Sequence, residues 1–129
     1  RPWRTQELVD SVYKSQYANS VDGLSGNEDC GQMSAWYILN SMGFYQVCPG
    51  KPVYSIGRPA FDKAVINLPG EKTFSIVVKN NAKTHKYIES VLLNGKPLDT
   101  PFFNHQDITA GGVMEIKMTD RPTRWGVSK

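Results

Sequence analysis

The sequence predicts an α+β fold, in which two N-terminal helices precede an antiparallel β-sheet or β-sandwich module. Apolar residues recur at helical spacing in the first third of the chain, and from Lys51 onward short β-branched and aromatic runs alternate with turn signals. Because helices come first and strands afterwards, the two kinds of element are segregated, unlike the alternation of a βαβ fold.

The first predicted helix covers residues 3–17. Its apolar side chains form one stripe at helical spacing, with charged and amide side chains mostly opposite. Pro2 suits the start of a helix, because the first turn leaves its amide hydrogens unused and proline has none. Asn19 and the pair Asp22–Gly23 end the helix. The stripe consists of Leu8, Val9, Val12, Tyr13 and Tyr17.

The second predicted helix covers residues 32–43 and is apolar on nearly all sides, which is typical of a helix buried among other helices. Gly43 is expected to cap its C-terminal end. Cys30 and Cys48 flank this helix, which is about 18 Å long at about 1.5 Å per residue. A disulfide requires Cα atoms within about 7 Å, so we predict two free, buried thiols.

The rest of the chain predicts strands separated by turn pairs such as Pro69–Gly70 and Asn94–Gly95. Alternation between apolar and polar residues in the third and last runs indicates a sheet with one face in the core and one face in water. The predicted strands are Val53–Ile56, Ala64–Leu68, Thr73–Lys79, Tyr87–Leu93, Phe102–His105 and Val113–Met118.

Composition limits the classes of function. The 129 residues are 40% hydrophobic and 21% charged, which is ordinary for a globular protein with its own core. A net charge of +3, spread evenly, argues against a nucleic-acid or membrane-surface partner. No apolar run is long enough to span a bilayer, and the spacing of the cysteines and histidines does not match a zinc site.

The loop of residues 18–31 is the candidate functional segment. It is polar and rich in glycine, and it presents Asn27, Glu28 and Asp29 just before the second helix. Free backbone N–H groups and the helix dipole favour negative charge at that position. A lone aspartate there would be interpreted as an N-cap. Three polar residues on such a loop, ahead of so apolar a helix, favour a functional site instead.

The residues also resemble a known family. Residues 22–37, Asp-Gly-Leu-Ser-Gly-Asn-Glu-Asp-Cys-Gly-Gln-Met-Ser-Ala-Trp-Tyr, and residues 43–50, Gly-Phe-Tyr-Gln-Val-Cys-Pro-Gly, are similar to the C-terminal part of glycoside hydrolase family 92. These enzymes are calcium-dependent, exo-acting α-mannosidases. The resemblance covers essentially the whole chain, since it continues through residues 54–57, 61–63, 87–90, 93–98 and 105–108.

This resemblance implies an architecture. Residues 1–50 would supply the last helices of an (α/α)6 catalytic barrel together with the active-site loop 18–31, and residues 51–129 would form a C-terminal β module. The chain would then be a piece of a larger enzyme, and the N-terminal part of that enzyme would be its partner. We therefore expect helix 32–43 to expose apolar side chains that barrel neighbours cover. The family implies a periplasmic, cell-surface or secreted location.

The resemblance also implies roles in catalysis. The family is inverting, and its base is an aspartate in the segment matched by Asn27–Asp29, which assigns the base to Asp29. Glu28 would serve calcium or a sugar hydroxyl at the catalytic site, with a surface acid as an equal alternative. Some members carry a second aspartate where this chain has Asn27, which has no charge but could bind substrate or calcium. The general acid is an upstream glutamate outside this chain, so the isolated chain is expected to be inactive.

A non-catalytic function is the alternative. A β-rich scaffold or carbohydrate-binding module would present an exposed aromatic platform, for which Tyr54, Phe102 and Phe103 are the candidates. His105 lies in the same region, and we favour a structural role for it. The substrate implied by the resemblance is a mannose-containing glycan, and we favour the catalytic interpretation.

Overall fold

The computed structural model describes residues 1–127 and confirms the α+β class. Both long helices precede all of the named strands. The elements are α1 (Pro2–Gln16), α2 (Gln32–Met42), β1 (Phe44–Tyr45), β2 (Val53–Ile56), β3 (Lys63–Asn67), β4 (Thr73–Lys79), β5 (Tyr87–Leu93), β6 (Lys96–Pro97), β7 (Phe102–Asn104), α3 (His105–Thr109) and β8 (Gly112–Thr119).

The strands form two sheets, a three-stranded sheet in the order β1-β2-β7 and a five-stranded sheet in the order β3-β4-β8-β5-β6. The pairs are antiparallel except β4 and β8, which run parallel. The prediction of a purely antiparallel sheet is therefore wrong for this pair. Alternation along a strand determines which face is buried, but it does not determine the partner or its direction.

The core lies between the two sheets. Alternate side chains of β4 and β8 are buried, as their sequence pattern predicts. The rings of Phe74 on β4 and Phe103 on β7 are nearly parallel across the interface, with centroids 6.4 Å apart. The buried set is Phe44, Ile56, Phe74, Ile76, Val78, Ile88, Val91, Phe103, Ile108, Met114, Ile116, Met118 and Trp125.

The division of the chain at residue 50 stays a prediction. β1 precedes that boundary and pairs with β2 beyond it, so the three-stranded sheet draws on both predicted regions. The predicted module of residues 51–129 ends outside the described residues, since residues 128 and 129 are not described. Within residues 1–127, no helix is both long and apolar enough to cross a membrane.

Gly43 ends α2 as predicted. It adopts a left-handed backbone angle, φ +106°, and its N–H donates to the carbonyl oxygens of Leu39 and Asn40. A Cβ atom at this position would lie 3.2 Å from the Cβ of Pro59 and 3.4 Å from the Cδ1 of Ile116. Glycine is therefore required both by the backbone angle and by the close approach of the helix end to the β structure.

Helix α1 packs on the β structure with a face more polar than predicted. Gln6, Val9 and Asp10 are its buried residues, whereas Leu8 of the predicted stripe is 50% exposed. The reason is that the opposing surface offers hydrogen-bond donors. The side-chain oxygen of Gln6 accepts the backbone N–H of Ile88 on β5 at 3.0 Å. An apolar residue at position 6 would leave that buried donor unpaired.

Asp10 forms the charged centre of this interface. Its carboxylate lies 3.4 Å from Arg58 Nε, 2.7 Å from Lys14 Nζ and 3.5 Å from Lys86 Nζ. Burial alone would raise the pKa of Asp10, but the hydrogen bond from Lys14 and the three positive charges outweigh burial and lower it. Asp10 and Arg58 are both buried, so this pair connects α1 to the segment after β2.

The thiols of Cys30 and Cys48 are free, as predicted, but the prediction that they are buried is wrong, because both side chains are exposed. Cys30 lies in the connection before α2, and Cys48 lies in the connection between β1 and β2. Connecting segments run over the surface, where water satisfies their backbone polar groups. Flanking an apolar helix therefore did not place these cysteines in the core.

We expect Asp10→Asn to lower the free energy of unfolding at pH 7 by about 3 kcal/mol, because it leaves the buried Arg58 guanidinium without its counter-charge. Since the folded-state pKa of Asp10 is lowered, this contribution is complete above the unfolded pKa of about 4 and is lost as pH falls through the folded value. Urea unfolding of both proteins at pH 7 and at lower pH measures it.

The control is Glu89→Gln, which removes an exposed pair with Lys117 and should cost less than about 1 kcal/mol. Equal losses for the two variants would show that Asp10 contributes no more than a surface charge.

Candidate active site

The loop between the two long helices begins with a closed lobe. Tyr17 and Leu24 pair as an antiparallel bridge, and the N–H of Ala18 donates to the carbonyl oxygen of Gly23 at 2.9 Å. A Cβ atom at position 23 would lie 2.0 Å from the carbonyl oxygen of Ala18, so only glycine fits there. Residues 18–23 are therefore tied back on themselves, and the chain re-emerges beside the end of α1.

The second half of the loop contains a strained turn. Asp29, Cys30 and Gly31 all have left-handed backbone angles, with φ of +47°, +59° and +91°. Left-handed angles at non-glycine residues cost on the order of 1–3 kcal/mol each and persist only where neighbouring contacts impose them. Because Asp29 is one of these residues, the strain lies at the residue to which the family resemblance assigns the base.

Glu28 supplies the contacts that impose this turn. Its backbone carbonyl oxygen accepts the N–H of Gln32 at 2.9 Å. Its carboxylate accepts the N–H of Ser34 at 3.0 Å and the Ser34 hydroxyl at 2.9 Å. Main chain and side chain of Glu28 thus both bond to the first turn of α2, whose N–H groups lack partners within the helix.

The structure rules out the N-cap interpretation of Asp29. The N-cap position of α2 is Gly31, and the acid that bonds to the first turn is Glu28. Asp29 and Asn27 are exposed, and neither side chain takes part in a hydrogen bond or ion pair within residues 1–127. The three predicted site residues are therefore brought together on one turn, but only Glu28 is engaged by the chain itself.

Tyr17 connects the two halves of the loop. Its hydroxyl donates to the carbonyl oxygen of Met33 at 2.9 Å, and its ring lies parallel to Trp36 with centroids 5.7 Å apart. Burial, and next the negative charge of Glu28, raise the pKa of Tyr17, so its hydroxyl remains a donor. The sequence pattern had assigned Tyr17 only to an apolar stripe, because periodicity does not show where a hydroxyl bonds.

Helix α2 exposes part of its apolar surface, as predicted, while Leu39 and Met42 pack partly buried against the core. Its fully buried residues are the polar Asn40 and Ser41, whereas Tyr37 is 38% and Ile38 is 56% exposed. Beside the loop lies a groove of about 510 Å³ that includes both exposed side chains and Ser34. None of the three predicted site residues lines this groove.

The described part of the chain contains no cluster of three or more His, Cys, Asp or Glu side chains that could hold a metal ion. Calcium binding by Asn27 and Glu28 stays a prediction.

The β structure does not form the aromatic platform expected of a carbohydrate-binding module. Phe103 is 3% exposed and lies in the core, whereas its neighbour Phe102 is 50% exposed, because successive residues of a strand point to opposite faces. Tyr54 packs against Phe103, and its hydroxyl lies 2.9 Å from Nδ1 of His105. This contact supports a structural role for His105.

Comparison with known protein families identifies the family of this chain. The profile of the glycosyl hydrolase family 92 catalytic domain matches residues 1–120. The chain belongs to glycosyl hydrolase family 92. This confirms the resemblance found in the loop and in the residues that follow it.

Solved structures of family 92 enzymes share the fold. An inverting mannosidase of the family from Bacteroides thetaiotaomicron VPI-5482 is 38% identical, with a TM-score of 0.91 over 99% of this chain and 18% of that one. A family 92 α-mannosidase from Bacteroides thetaiotaomicron, solved in complex with mannoimidazole, is 34% identical, with a TM-score of 0.92 over 98% of this chain and 17% of that one.

A curated relative from the fungus Arthroderma benhamiae is named an uncharacterized secreted glycosidase. It is 26% identical over 132 residues, which cover 100% of this chain and 17% of the relative. The family 92 chain described here therefore spans about 17–18% of the length of each of these relatives.

The strain at Cys30 gives a direct prediction. Cys30 is exposed, so substitution removes little packing, and the effect reports on the backbone. We expect Cys30→Val to destabilise the protein by about 1–2 kcal/mol, because a β-branched residue resists left-handed angles. Cys30→Gly should be near neutral, since relief of strain offsets the greater freedom of the unfolded chain. Thermal unfolding measures both.

The matched control is Cys48→Val, because Cys48 is also exposed but lies outside the left-handed region. If Cys30→Val and Cys48→Val have the same stability, position 30 is unstrained.

Proposed function

We propose that this chain carries the general base of an inverting, calcium-dependent exo-α-mannosidase that removes terminal α-linked mannose from glycans. The observation that carries the proposal is the Asp29 carboxylate, which is exposed on a strained turn while Glu28 provides the contacts to the helix. Membership of family 92 and the inverting mannosidase among the structural neighbours support it.

Inversion at a glycosidic carbon requires two carboxyl groups about 6.5–9.5 Å apart, so that a water molecule fits beside the sugar. In our proposal Asp29 removes a proton from that water as its oxygen attacks the anomeric carbon. The second carboxyl group protonates the leaving oxygen and comes from outside this chain. Both oxygens of Glu28 already accept hydrogen bonds from Ser34, so Glu28 is poorly placed to donate that proton.

Asn27 and Glu28 are the calcium ligands that this chain would offer. Asn27 has an exposed amide oxygen, which suits calcium. A carboxylate has about four lone-pair sites, so two hydrogen bonds to Ser34 leave Glu28 able to meet an ion. When bound, calcium would contact the hydroxyl groups of the terminal mannose and help to distort its ring. Asn27 could also bind a sugar hydroxyl directly.

The remainder of the same enzyme is the proposed partner of α2. The exposed Tyr37 and Ile38 suit a helix that packs against further helices, such as those of an (α/α)6 barrel. The base would then face the space that those helices enclose. We also propose a periplasmic, cell-surface or secreted location, which the name of the fungal relative supports.

We expect Asp29→Asn in the complete enzyme to lower α-mannoside turnover by about 10²–10⁴, the usual contribution of a general base. The melting temperature should hardly change, because the exposed side chain takes part in no hydrogen bond or ion pair within the described residues. Asp22→Asn is the matched control, since Asp22 is an exposed aspartate of the same loop. Turnover of Asp29→Asn close to that of Asp22→Asn would contradict the assignment.

The isolated chain should not hydrolyse α-mannosides, with or without added calcium, because the proposed mechanism takes its acid from elsewhere. The measurement is release of mannose by the purified chain beside the complete enzyme. Hydrolysis that disappears on chelation would place both carboxyl groups within these residues.

A further inference from the structure

We propose that Tyr17 is a positioning residue for the hydrolytic reaction. Its backbone pairs with the first half of the loop of residues 18–31, and its hydroxyl bonds to the helical turn that follows the loop, so it fixes the turn that carries Asp29. This inference rests on the proposed function. Its experiment is chosen so that the two ideas fail separately.

Tyr17 holds the first half of the loop through its backbone. It pairs with Leu24, and the adjacent bond from Ala18 to Gly23 closes the lobe between them. The lobe is tightly closed, because the backbone of Gly23 approaches the Ala18 carbonyl oxygen so closely that a Cβ atom would not fit. The chain therefore leaves Leu24 at a position defined by the end of α1.

Tyr17 holds the far end of the loop through its side chain. The Tyr17 hydroxyl donates to the carbonyl oxygen of Met33, which lies between Gln32 and Ser34. The N–H groups of Gln32, Met33 and Ser34 all donate to Glu28. The hydroxyl thus bonds to the same helical turn that imposes the left-handed angles of residues 29–31. The parallel Trp36 ring fixes the direction of the tyrosine side chain, so the hydroxyl is directed at that carbonyl.

The position of Tyr17 is itself fixed by the rest of α1. Gln6 and Asp10 bond that helix to Ile88 and Arg58, and Tyr17 follows at its C-terminal end. The turn that carries Asp29 is therefore located relative to the β structure through α1 as well as through the direct connection at Gly43.

The test is Tyr17→Phe in the complete enzyme, which removes one oxygen atom and keeps the aromatic stack. We expect kcat for an α-mannoside to fall about tenfold or more while KM changes less than about twofold. A base displaced by a fraction of an ångström weakens the transition state and not substrate binding. The melting temperature should change by no more than that of the control.

The control is Tyr13→Phe. Tyr13 lies one turn earlier on α1 and packs on the same Trp36 ring, but its hydroxyl points to the carbonyl of Arg58 at 3.4 Å and makes no bond to the first turn of α2. We expect its kcat and KM to match the unmodified enzyme. Unchanged kcat in Tyr17→Phe, or an equal loss in both variants, would overturn the inference. If Asp29→Asn retains activity, the proposed function fails instead.

Discussion

The apolar core between the two sheets supports the remaining elements, because both long helices pack on the β structure that this core holds together. Its side chains on β4, β7 and β8 are nearly inaccessible, whereas the buried residues of α2 are polar and its apolar Leu39 and Met42 are only partly buried against the core. An apolar core is non-directional and supplies stability without orientation. Orientation comes from a few specific contacts at its edge, of which Asp10 with Arg58 and Gln6 with Ile88 are the most buried.

The candidate site contains unfavourable backbone angles that hydrogen bonds to helix α2 offset. Two non-glycine residues at left-handed angles are unfavourable, and the loop cannot offset them through burial because Asp29 and Cys30 are exposed. The compensation comes from hydrogen bonds at the first turn of α2, where the Glu28 carboxylate accepts from Ser34 and the Tyr17 hydroxyl donates to Met33. The side chain of Asp29 takes part in none of these bonds, so its carboxylate stays available to another molecule.

The sequence predicts the elements of this fold better than the contacts between them. Alternation located β4 and β8 because one face of each is buried, and an all-round apolar pattern anticipated the exposure of α2. Neither pattern showed that β8 pairs with β4 in parallel. The hydrogen bonds that Ser34 donates to Glu28 have no periodic signature, because residues 29–31 between them have left-handed backbone angles. Hydrophobicity alone also predicted that Leu8 is buried, whereas Gln6 is buried instead, because the surface opposite α1 presents the backbone N–H of Ile88, which donates to Gln6.

The central place of β8 bears on how the chain folds. It is the last strand in sequence among residues 1–127, yet it lies between β4 and β5, which do not pair with each other. During synthesis, β4 and β5 leave the ribosome with their facing edges unpaired until residues 112–119 have been made. Non-local pairing of this kind is slow and leaves strand edges open to other chains. Sheet closure is thus a late event, and a nascent chain is most vulnerable to aggregation just before β8 inserts.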